Sequence, residues 1–154
     1  MSDHKMINGV VITPLNQIFD ERGKVMHMLR RDAPNFENFG EIYFSCTFPG
    51  VVKAWHLHRE MTLNYAVIQG QVKLVLYDDR DDSSTAGTIQ EIFLSPENYM
   101  LVTVPPKIWN GFKCIGTETA ILANCASMPH DPNEIERASP TDSQFPYTWS
   151  IINR

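Results

Sequence analysis

Residues 50–70 read GVVKAWHLHREMTLNYAVIQG, and this stretch decides the fold class. It is apolar and rich in residues that favour β-strands, and His56 and His58 stand two apart within it. Because side chains alternate between the two faces of a strand, both imidazoles are predicted to project from one face. Two neighbouring imidazoles suit either a metal ion or proton transfer near neutral pH, since the ordinary pKa of histidine lies there.

Short β-prone runs of this kind recur along the chain, separated by turns such as ERG at residues 21–23 and FPG at residues 48–50. No run has the periodicity of an amphipathic helix of about a dozen residues. Many short strands with polar turns predict an all-β sandwich or barrel, most simply a jelly roll. The predicted strands cover residues 9–13, 24–29, 41–47, 51–58, 63–68, 72–77, 88–94, 99–104, 111–115 and 119–126.

The length of 154 residues is most simply one domain, residues 1–154, which is long enough to bury about two thirds of its unfolded surface. The tail after Met128 is rich in proline and charge but ends in aromatic residues. We therefore predict that the chain from about residue 128 packs across the barrel as an ordered strap rather than remaining disordered.

The charge balance of 13 Lys plus Arg against 18 Asp plus Glu argues against nucleic acid or an acidic membrane surface as a partner. The N-terminal sequence lacks the pattern of a secretory leader, and no run approaches the ~20 apolar residues of a membrane span. Cys46, Cys114 and Cys125 form no CxxC pair, which predicts free thiols in a reducing compartment. These features predict a cytoplasmic protein.

The pattern of Gly50, His56, His58 and Gly70 resembles the first motif of the cupin barrels, and VPPKIWNGF at residues 104–112 is similar to the second. Within that superfamily the chain resembles the dTDP-4-dehydrorhamnose 3,5-epimerases from about residue 12 to residue 149. DERG at residues 20–23 and GVVKAWH at residues 50–56 are part of this similarity. The resemblance implies a cupin jelly-roll barrel, a nucleotide-diphosphate sugar as substrate and a homodimer. The apolar residues 10–12 would suit such a dimer by adding a strand to a neighbouring sheet edge.

The same resemblance implies roles for two residues. His56 would remove the acidic proton next to the C4 keto group of the sugar, and Asp142 would orient it. A carboxylate there fixes the tautomer and supports the imidazolium that forms. The chain departs from the family at two positions, because the family's lysine aligns with Thr62 and its proton-returning tyrosine aligns with Ala123. The alternative is that His56 is a satisfied core histidine.

A second group of cupin-like enzymes, the nucleotide-sugar 3,4-ketoisomerases, has a His-x-His-Lys pattern preceded by a strand that contains tyrosine. This chain has HLHR at residues 56–59 and EIYF at residues 41–44. In that interpretation His56, His58 and Tyr43 are all catalytic and pass a proton between neighbouring atoms. A third interpretation is a cupin that binds sugar without catalysis, in which the missing lysine and tyrosine reflect lost chemistry.

A metal-dependent cupin is the remaining class. Such cupins usually supply two histidines and a glutamate from the first motif and a third histidine from the second. Here Leu63 stands at the glutamate position and Asn110 at the third histidine position. The sequence therefore predicts no metal site and no organic cofactor.

The nucleotide diphosphate requires cationic groups or several N–H donors. Arg22 and Lys53 occupy positions where the epimerases have arginines, so both are predicted to bind the diphosphate. Strict alternation would place Lys53 on the face opposite His56, so this role requires a β-bulge or a position at the cavity mouth. Trp109 is predicted to stack on the base or sugar, and Asn110 is a further candidate for substrate binding.

Overall fold

Residues 6–153, the part of the chain that the computed structural model describes, form twelve β-strands and no helix. The first and last residues of the predicted domain, 1–5 and 154, lie outside the described residues. The strands are β1 (Val11–Pro14), β2 (Gln17–Asp20), β3 (Gly23–Met26), β4 (Glu41–Thr47), β5 (Val52–His58), β6 (Leu63–Gln69), β7 (Val72–Tyr77), β8 (Ile89–Leu94), β9 (Met100–Val104), β10 (Trp109–Cys114), β11 (Ala120–Ala126) and β12 (Ile135–Arg137).

Two five-stranded antiparallel sheets face each other. The first sheet has the order β1-β9-β6-β11-β4, and the second has the order β12-β5-β10-β7-β8. Strands β2 and β3 form a separate hairpin. The predicted all-β jelly roll is confirmed. The sequence analysis missed only β2 and β12, which have four and three residues.

Aliphatic side chains from both sheets fill most of the space between them. Leu63 on β6, Leu74 and Leu76 on β7, Val102 on β9 and Leu122 on β11 are all at most 1% exposed. Full burial of each such side chain stabilises the fold by about 1.5–3 kcal/mol. This apolar core holds the two sheets together. The end of the barrel near β4, β5 and β12 is left for polar groups.

A β-bulge interrupts β5 where it pairs with β10. His56 lies opposite Asn110, and Lys53 lies opposite Phe112, so the two residues between them on β5 face Gly111 alone. The extra residue shifts the alternation of side chains by one position. Lys53 therefore lies on the same side of the sheet as His56, as its predicted role requires.

Gly111 is the residue that permits this bulge. A Cβ atom at position 111 would lie 2.4 Å from the Cβ of Ala54 and 2.9 Å from its Cα. Such distances are far inside van der Waals contact, so only glycine lets the bulged backbone approach β10 so closely.

The chain after Met128 crosses the second sheet. Strand β12 extends that sheet by pairing with β5, and Ala138 exchanges two backbone hydrogen bonds with Trp55, at 2.8 and 3.0 Å. Farther along, Phe145 stacks on the buried Trp55 ring at a centroid distance of 4.5 Å, and Trp149 packs beside it at 5.2 Å. We call residues 128–149 the strap.

The described residues contain no helix that is both long enough and apolar enough to cross a membrane.

Candidate active site

A cavity of about 390 Å³ lies between the two sheets at the end where the strap joins β5. Its walls combine polar and apolar side chains from both sheets and from the strap. The lining residues are Glu41, Tyr43, Ser45, Lys53, His56, His58, Met61, Tyr65, Phe112, Leu122, His130, Ile135 and Arg137. The structure thus brings four predicted site residues together here, namely Tyr43, Lys53, His56 and His58.

His58 is paired with a buried carboxylate from the strap. Its Nδ1 is hydrogen-bonded to Oε1 of Glu134, and the two residues are 9% and 4% exposed. Because Nδ1 is engaged by the carboxylate, it carries the proton in the neutral imidazole. Nε2 has no hydrogen-bond partner among residues 6–153 and is left as an acceptor, and His58 is one of the residues that line the cavity. A histidine in this tautomer is prepared to accept a proton from a ligand.

Glu134 is held in place by the backbone as well. Its Oε2 accepts hydrogen bonds from the backbone N–H groups of Glu60 and Met61, each at 3.2 Å. Burial acts to raise the pKa of Glu134, but the hydrogen bonds from His58 and from the two backbone N–H groups outweigh it, so the pKa lies below its usual value. Glu134 is therefore a fixed anion beneath His58.

His56 lines the same cavity without such support. Among the described residues, no hydrogen bond reaches either nitrogen of its ring. Burial, the guanidinium of Arg137 directly across on β12 and the nearby His58 lower the pKa of His56 from 6.5 to about 4. His56 is consequently a neutral imidazole at physiological pH.

Tyr43 reaches the cavity from the opposite sheet. Its hydroxyl oxygen accepts a hydrogen bond from Nδ2 of Asn124 at 3.0 Å. The orientation of the Asn124 amide is fixed, because its Oδ1 accepts the backbone N–H of Asn64 at 3.0 Å. The phenol proton of Tyr43 is thereby left free to point into the cavity. Burial raises the pKa of Tyr43, so this proton is retained at neutral pH.

Tyr65, the second tyrosine of the cavity, has a different role. Its hydroxyl donates to Oδ1 of Asn110 at 2.8 Å, and Nδ2 of Asn110 donates to the backbone carbonyl of His56 at 3.1 Å. Burial raises the pKa of Tyr65 well above its usual value. Asn110 is 1% exposed and both ends of its amide are used. It therefore braces β5 and Tyr65, and it does not line the cavity as its predicted substrate-binding role requires.

Two cationic side chains border the cavity. Nζ of Lys53 donates to Oγ of Ser45 and to the backbone carbonyl of Cys46, each at 2.9 Å, and so bridges the two sheets. Arg137 projects from the exposed strap next to His56. Together they make this wall of the cavity positive, which suits an anionic ligand.

Three other predicted site residues lie elsewhere. The Asp142 carboxylate accepts the backbone N–H of Gln144 at 2.9 Å, and no hydrogen bond joins it to His56 within residues 6–153. Within these residues, the carboxylate that pairs with a histidine of the cavity is that of Glu134, and its partner is His58. Trp109 packs on the far side of the second sheet, where its Nε1 donates to Asp79 at 2.9 Å, so it does not line the cavity.

Arg22 is the third of these residues. It lies at the tip of the β2–β3 hairpin with 86% of its side chain exposed and is ion-paired with Asp20. The cavity of its own chain contains no residue of this hairpin. Its predicted contact with a diphosphate is therefore not made within one chain.

The described residues contain no group of three or more His, Cys, Asp and Glu side chains arranged to hold a metal ion.

The sequence reasoning missed Glu134 and Arg137. Both lie in the charged strap, where single carboxylates and guanidiniums are usually solvated. Nothing in the local sequence EIER, residues 134–137, distinguishes them from solvated charges.

The family model for dTDP-4-dehydrorhamnose 3,5-epimerase matches residues 4–154, essentially the whole chain. The chain belongs to the dTDP-4-dehydrorhamnose 3,5-epimerase family. It is accordingly a nucleotide-sugar epimerase or isomerase, and the resemblance inferred from the motifs is confirmed. The cupin form of the jelly roll agrees with the fold of this family.

Individual proteins are also similar to this chain. A crystal structure described as a dTDP sugar isomerase from Desulfovibrio desulfuricans shares 44% identity and superposes with a TM-score of 0.91, covering 93% of this chain and 92% of that one. The probable low-salt glycan biosynthesis epimerase Agl13 of Haloferax volcanii is 35% identical over 92% of this chain and 88% of its own length. The spore coat polysaccharide biosynthesis protein SpsL of Bacillus subtilis is 29% identical over 94% and 97%.

Proposed function

We propose that this protein epimerises or isomerises a nucleotide-linked 4-keto-6-deoxysugar by proton transfer inside the cavity between the sheets. The single observation that supports the mechanism is the His58–Glu134 pair, in a cavity that Tyr43 lines from the other sheet. The names of the related dTDP sugar isomerase and of the glycan epimerase support this class of substrate.

In the proposed reaction, His58 is the general base. Its Nε2 takes the proton from the carbon next to the C4 keto group, and the C–H electron pair becomes the double bond of an enolate. The imidazolium that forms is stabilised by the Glu134 carboxylate. Tyr43, on the opposite sheet, then donates its phenol proton to the other face of the same carbon, and Asn124 supports the resulting phenolate. Exchange with water returns both groups to their starting states.

The placement of acid and base on opposite walls favours inversion of a stereocentre. The same three groups, His56, His58 and Tyr43, also support the second candidate function, a 3,4-ketoisomerisation. In that reaction a proton would move between neighbouring atoms of the sugar, and the keto group would change position.

Incubation with dTDP-4-keto-6-deoxyglucose in deuterated water tests the function and distinguishes these outcomes. An epimerase should incorporate deuterium at C3, at C5 or at both, with inversion. A ketoisomerase should yield a 3-keto product. Binding without exchange or turnover would support the third interpretation, a sugar-binding cupin, and would refute the catalytic proposal.

We also propose that the chemistry requires neither metal nor organic cofactor. His58 uses Nδ1 for Glu134, so it has one nitrogen left for any other ligand. Turnover by purified protein should survive exhaustive chelation. A loss of turnover that added zinc, iron or manganese restores would contradict this part of the proposal.

A homodimer is proposed for the assembly. The β2–β3 hairpin exposes Ile18, Phe19 and Val25 by 58%, 67% and 59%, and the edge strand β4 exposes Ile42 and Phe44 by 51% and 57%. Ile18 and Val25 are paired across the hairpin, and exposed apolar side chains grouped in this way are typical of a protein interface. If this hairpin docks on a second chain, Arg22 at its tip gains access to a ligand there. Light scattering should give twice the chain mass of 17.6 kDa, and a monomer would refute both the dimer and the role of Arg22.

The cytoplasm is the proposed location. Cys46, Cys114 and Cys125 are all free thiols, which suits a reducing compartment. Cell fractionation of the native host tests this proposal, and recovery of the protein outside the cytoplasm would contradict it.

A further inference from the structure

The two imidazoles on β5 stand side by side, but only one of them has a carboxylate. Both oxygens of Glu134 are occupied, Oε1 by His58 and Oε2 by the two backbone N–H groups. The other strap carboxylates have partners elsewhere. Asp131 and Asp142 accept the backbone N–H groups of Asn133 and Gln144, and Glu136 pairs with Arg59. No carboxylate of the strap is therefore left to stabilise a positive charge on His56.

The charged groups around His56 oppose its protonation. Arg137 faces it from β12, while Lys53 and His58 share its face of β5. The acidic group that lines the cavity, Glu41 on β4, makes no hydrogen bond to His56. An imidazolium at position 56 would lie among cations in a partly desolvated wall, so His56 remains a neutral N–H donor.

The proposed reaction needs such a donor. Removal of the proton next to a ketone places negative charge on the ketone oxygen, and a positioned hydrogen-bond donor lowers the energy of that oxyanion. Thr62, where the family's lysine aligns, does not supply it. Its hydroxyl donates to Glu37 at 3.1 Å, it is 3% exposed, and it does not line the cavity.

The spacing of the two imidazoles fits a division of roles. Residues two apart on a strand lie about 7 Å apart at Cα and point the same way. The ring nitrogens of His56 and His58 are thus close enough to contact adjacent atoms of one sugar ring. His58 would face the acidic carbon, and His56 would face the ketone oxygen beside it.

We propose that His56 is the electrophile of this active site, donating a neutral imidazole N–H to the C4 ketone oxygen as the enolate forms, while His58 is the base. This inference rests on the proposed function. In this step, the proton moves from the carbon to Nε2 of His58, and the electron pair moves onto the ketone oxygen. The N–H of His56 donates a hydrogen bond to that oxygen, but its proton is not transferred. A neutral donor returns to its starting state without reprotonation.

Paired substitutions at each histidine test the assignment. An amide side chain retains an N–H donor but cannot act as a base, so His56→Asn or His56→Gln should recover at least ~10-fold of the activity that His56→Ala loses. The loss in His56→Ala should be about 10²- to 10³-fold in kcat/KM, as for other oxyanion donors. At position 58, the amide and alanine variants should be equally impaired by at least ~100-fold. Added imidazole should restore His58→Ala and not His56→Ala.

Amide variants of His56 that are as inactive as His56→Ala, together with imidazole rescue of His56→Ala, would make His56 the base and overturn the inference. If the position 58 variants fail to fold, ¹⁵N NMR of the wild-type imidazoles decides. A neutral His56 at pH 6 supports the inference, and a protonated one refutes it. Wild-type turnover is measured first, so failure of the proposed function is recognised separately.

Discussion

Replacement of Glu134 by glutamine changes one atom of the proposed catalytic pair. Oε2 of Glu134 accepts two backbone N–H groups at 3.2 Å, so the glutamine carbonyl oxygen must occupy that place. The amide NH₂ group then faces Nδ1 of His58, which becomes an acceptor, and the imidazole proton moves to Nε2. His58 in this tautomer can no longer accept a proton from the substrate.

The magnitude of the loss follows from these contacts. Rotation of the glutamine amide by half a turn would restore the original tautomer of His58. It would also break the two hydrogen bonds from the backbone, which together contribute about 1–3 kcal/mol. The hydrogen bond that supports the imidazolium is worth a further ~1.5–3 kcal/mol. Since each 1.4 kcal/mol is tenfold in rate, Glu134→Gln should lower kcat/KM by about 10²- to 10⁴-fold. The comparable aspartate-to-asparagine change in serine proteases costs ~10⁴-fold through the wrong tautomer.

The assay is the initial rate of solvent deuterium incorporation into dTDP-4-keto-6-deoxyglucose over a range of pH. The control is Glu136→Gln, two residues along the strap, where the exposed carboxylate pairs with Arg59 at 2.7 Å. This control should remain within about twofold of wild type. A folded Glu134→Gln protein that keeps more than a third of wild-type kcat/KM would refute the His58–Glu134 mechanism.

Three further outcomes are expected. Gly111→Ala places its Cβ 2.4 Å from the Cβ of Ala54. It should therefore reduce turnover and lower the free energy of unfolding, measured by chemical denaturation, by about 1–3 kcal/mol. The control Gly116→Ala should be tolerated, because its Cβ would meet its nearest atom at 3.4 Å. Tyr43→Phe should lower the rate of inversion by at least ~100-fold, as loss of a proton donor does, and an unaffected rate would exclude Tyr43 as the acid. Unfolded His56 gains a proton as the pH falls through 6.5, but folded His56 gains it only near pH 4, so stability should fall across this window. We expect about 1 kcal/mol less stability at pH 5 than at pH 7 after solvent screening, or ~2–4 °C in Tm, and His56→Gln should lack this part of the loss in calorimetry.

Most of the barrel was predictable because its strands are long, alternating and bounded by turn residues. The predicted bounds of residues 41–47 and 72–77 coincide with β4 and β7. The hairpin strand β2 and the strap strand β12 were missed, since four and three residues carry too little periodicity to stand out from loops.

The candidate site was only half predictable. The His-x-His spacing identified which face of β5 carries the site. The need for a bulge beside Lys53 followed from the alternation of side chains along the strand, because residues 53 and 56 would otherwise lie on opposite faces. The partner of His58 was not, because Glu134 lies 76 residues away and nothing local distinguishes it from a solvated glutamate. Asp142 was chosen by alignment with a family motif, which cannot reveal that its carboxylate is used by a local turn.

The division of the proposed catalytic pair between barrel and strap has a consequence for the newly made protein. The proposed base, His58, lies on β5, whereas Glu134 comes from a segment that is synthesised after every strand of the two sheets except β12. The residues of the aliphatic core between the sheets are all synthesised before the strap. Phe145 and Trp149 then cover the buried ring of Trp55, and in the proposed mechanism the same docking step brings Glu134 beneath His58. Turnover would thus report on the last step of folding, because the strap supplies both the cover of Trp55 and the partner of the proposed base.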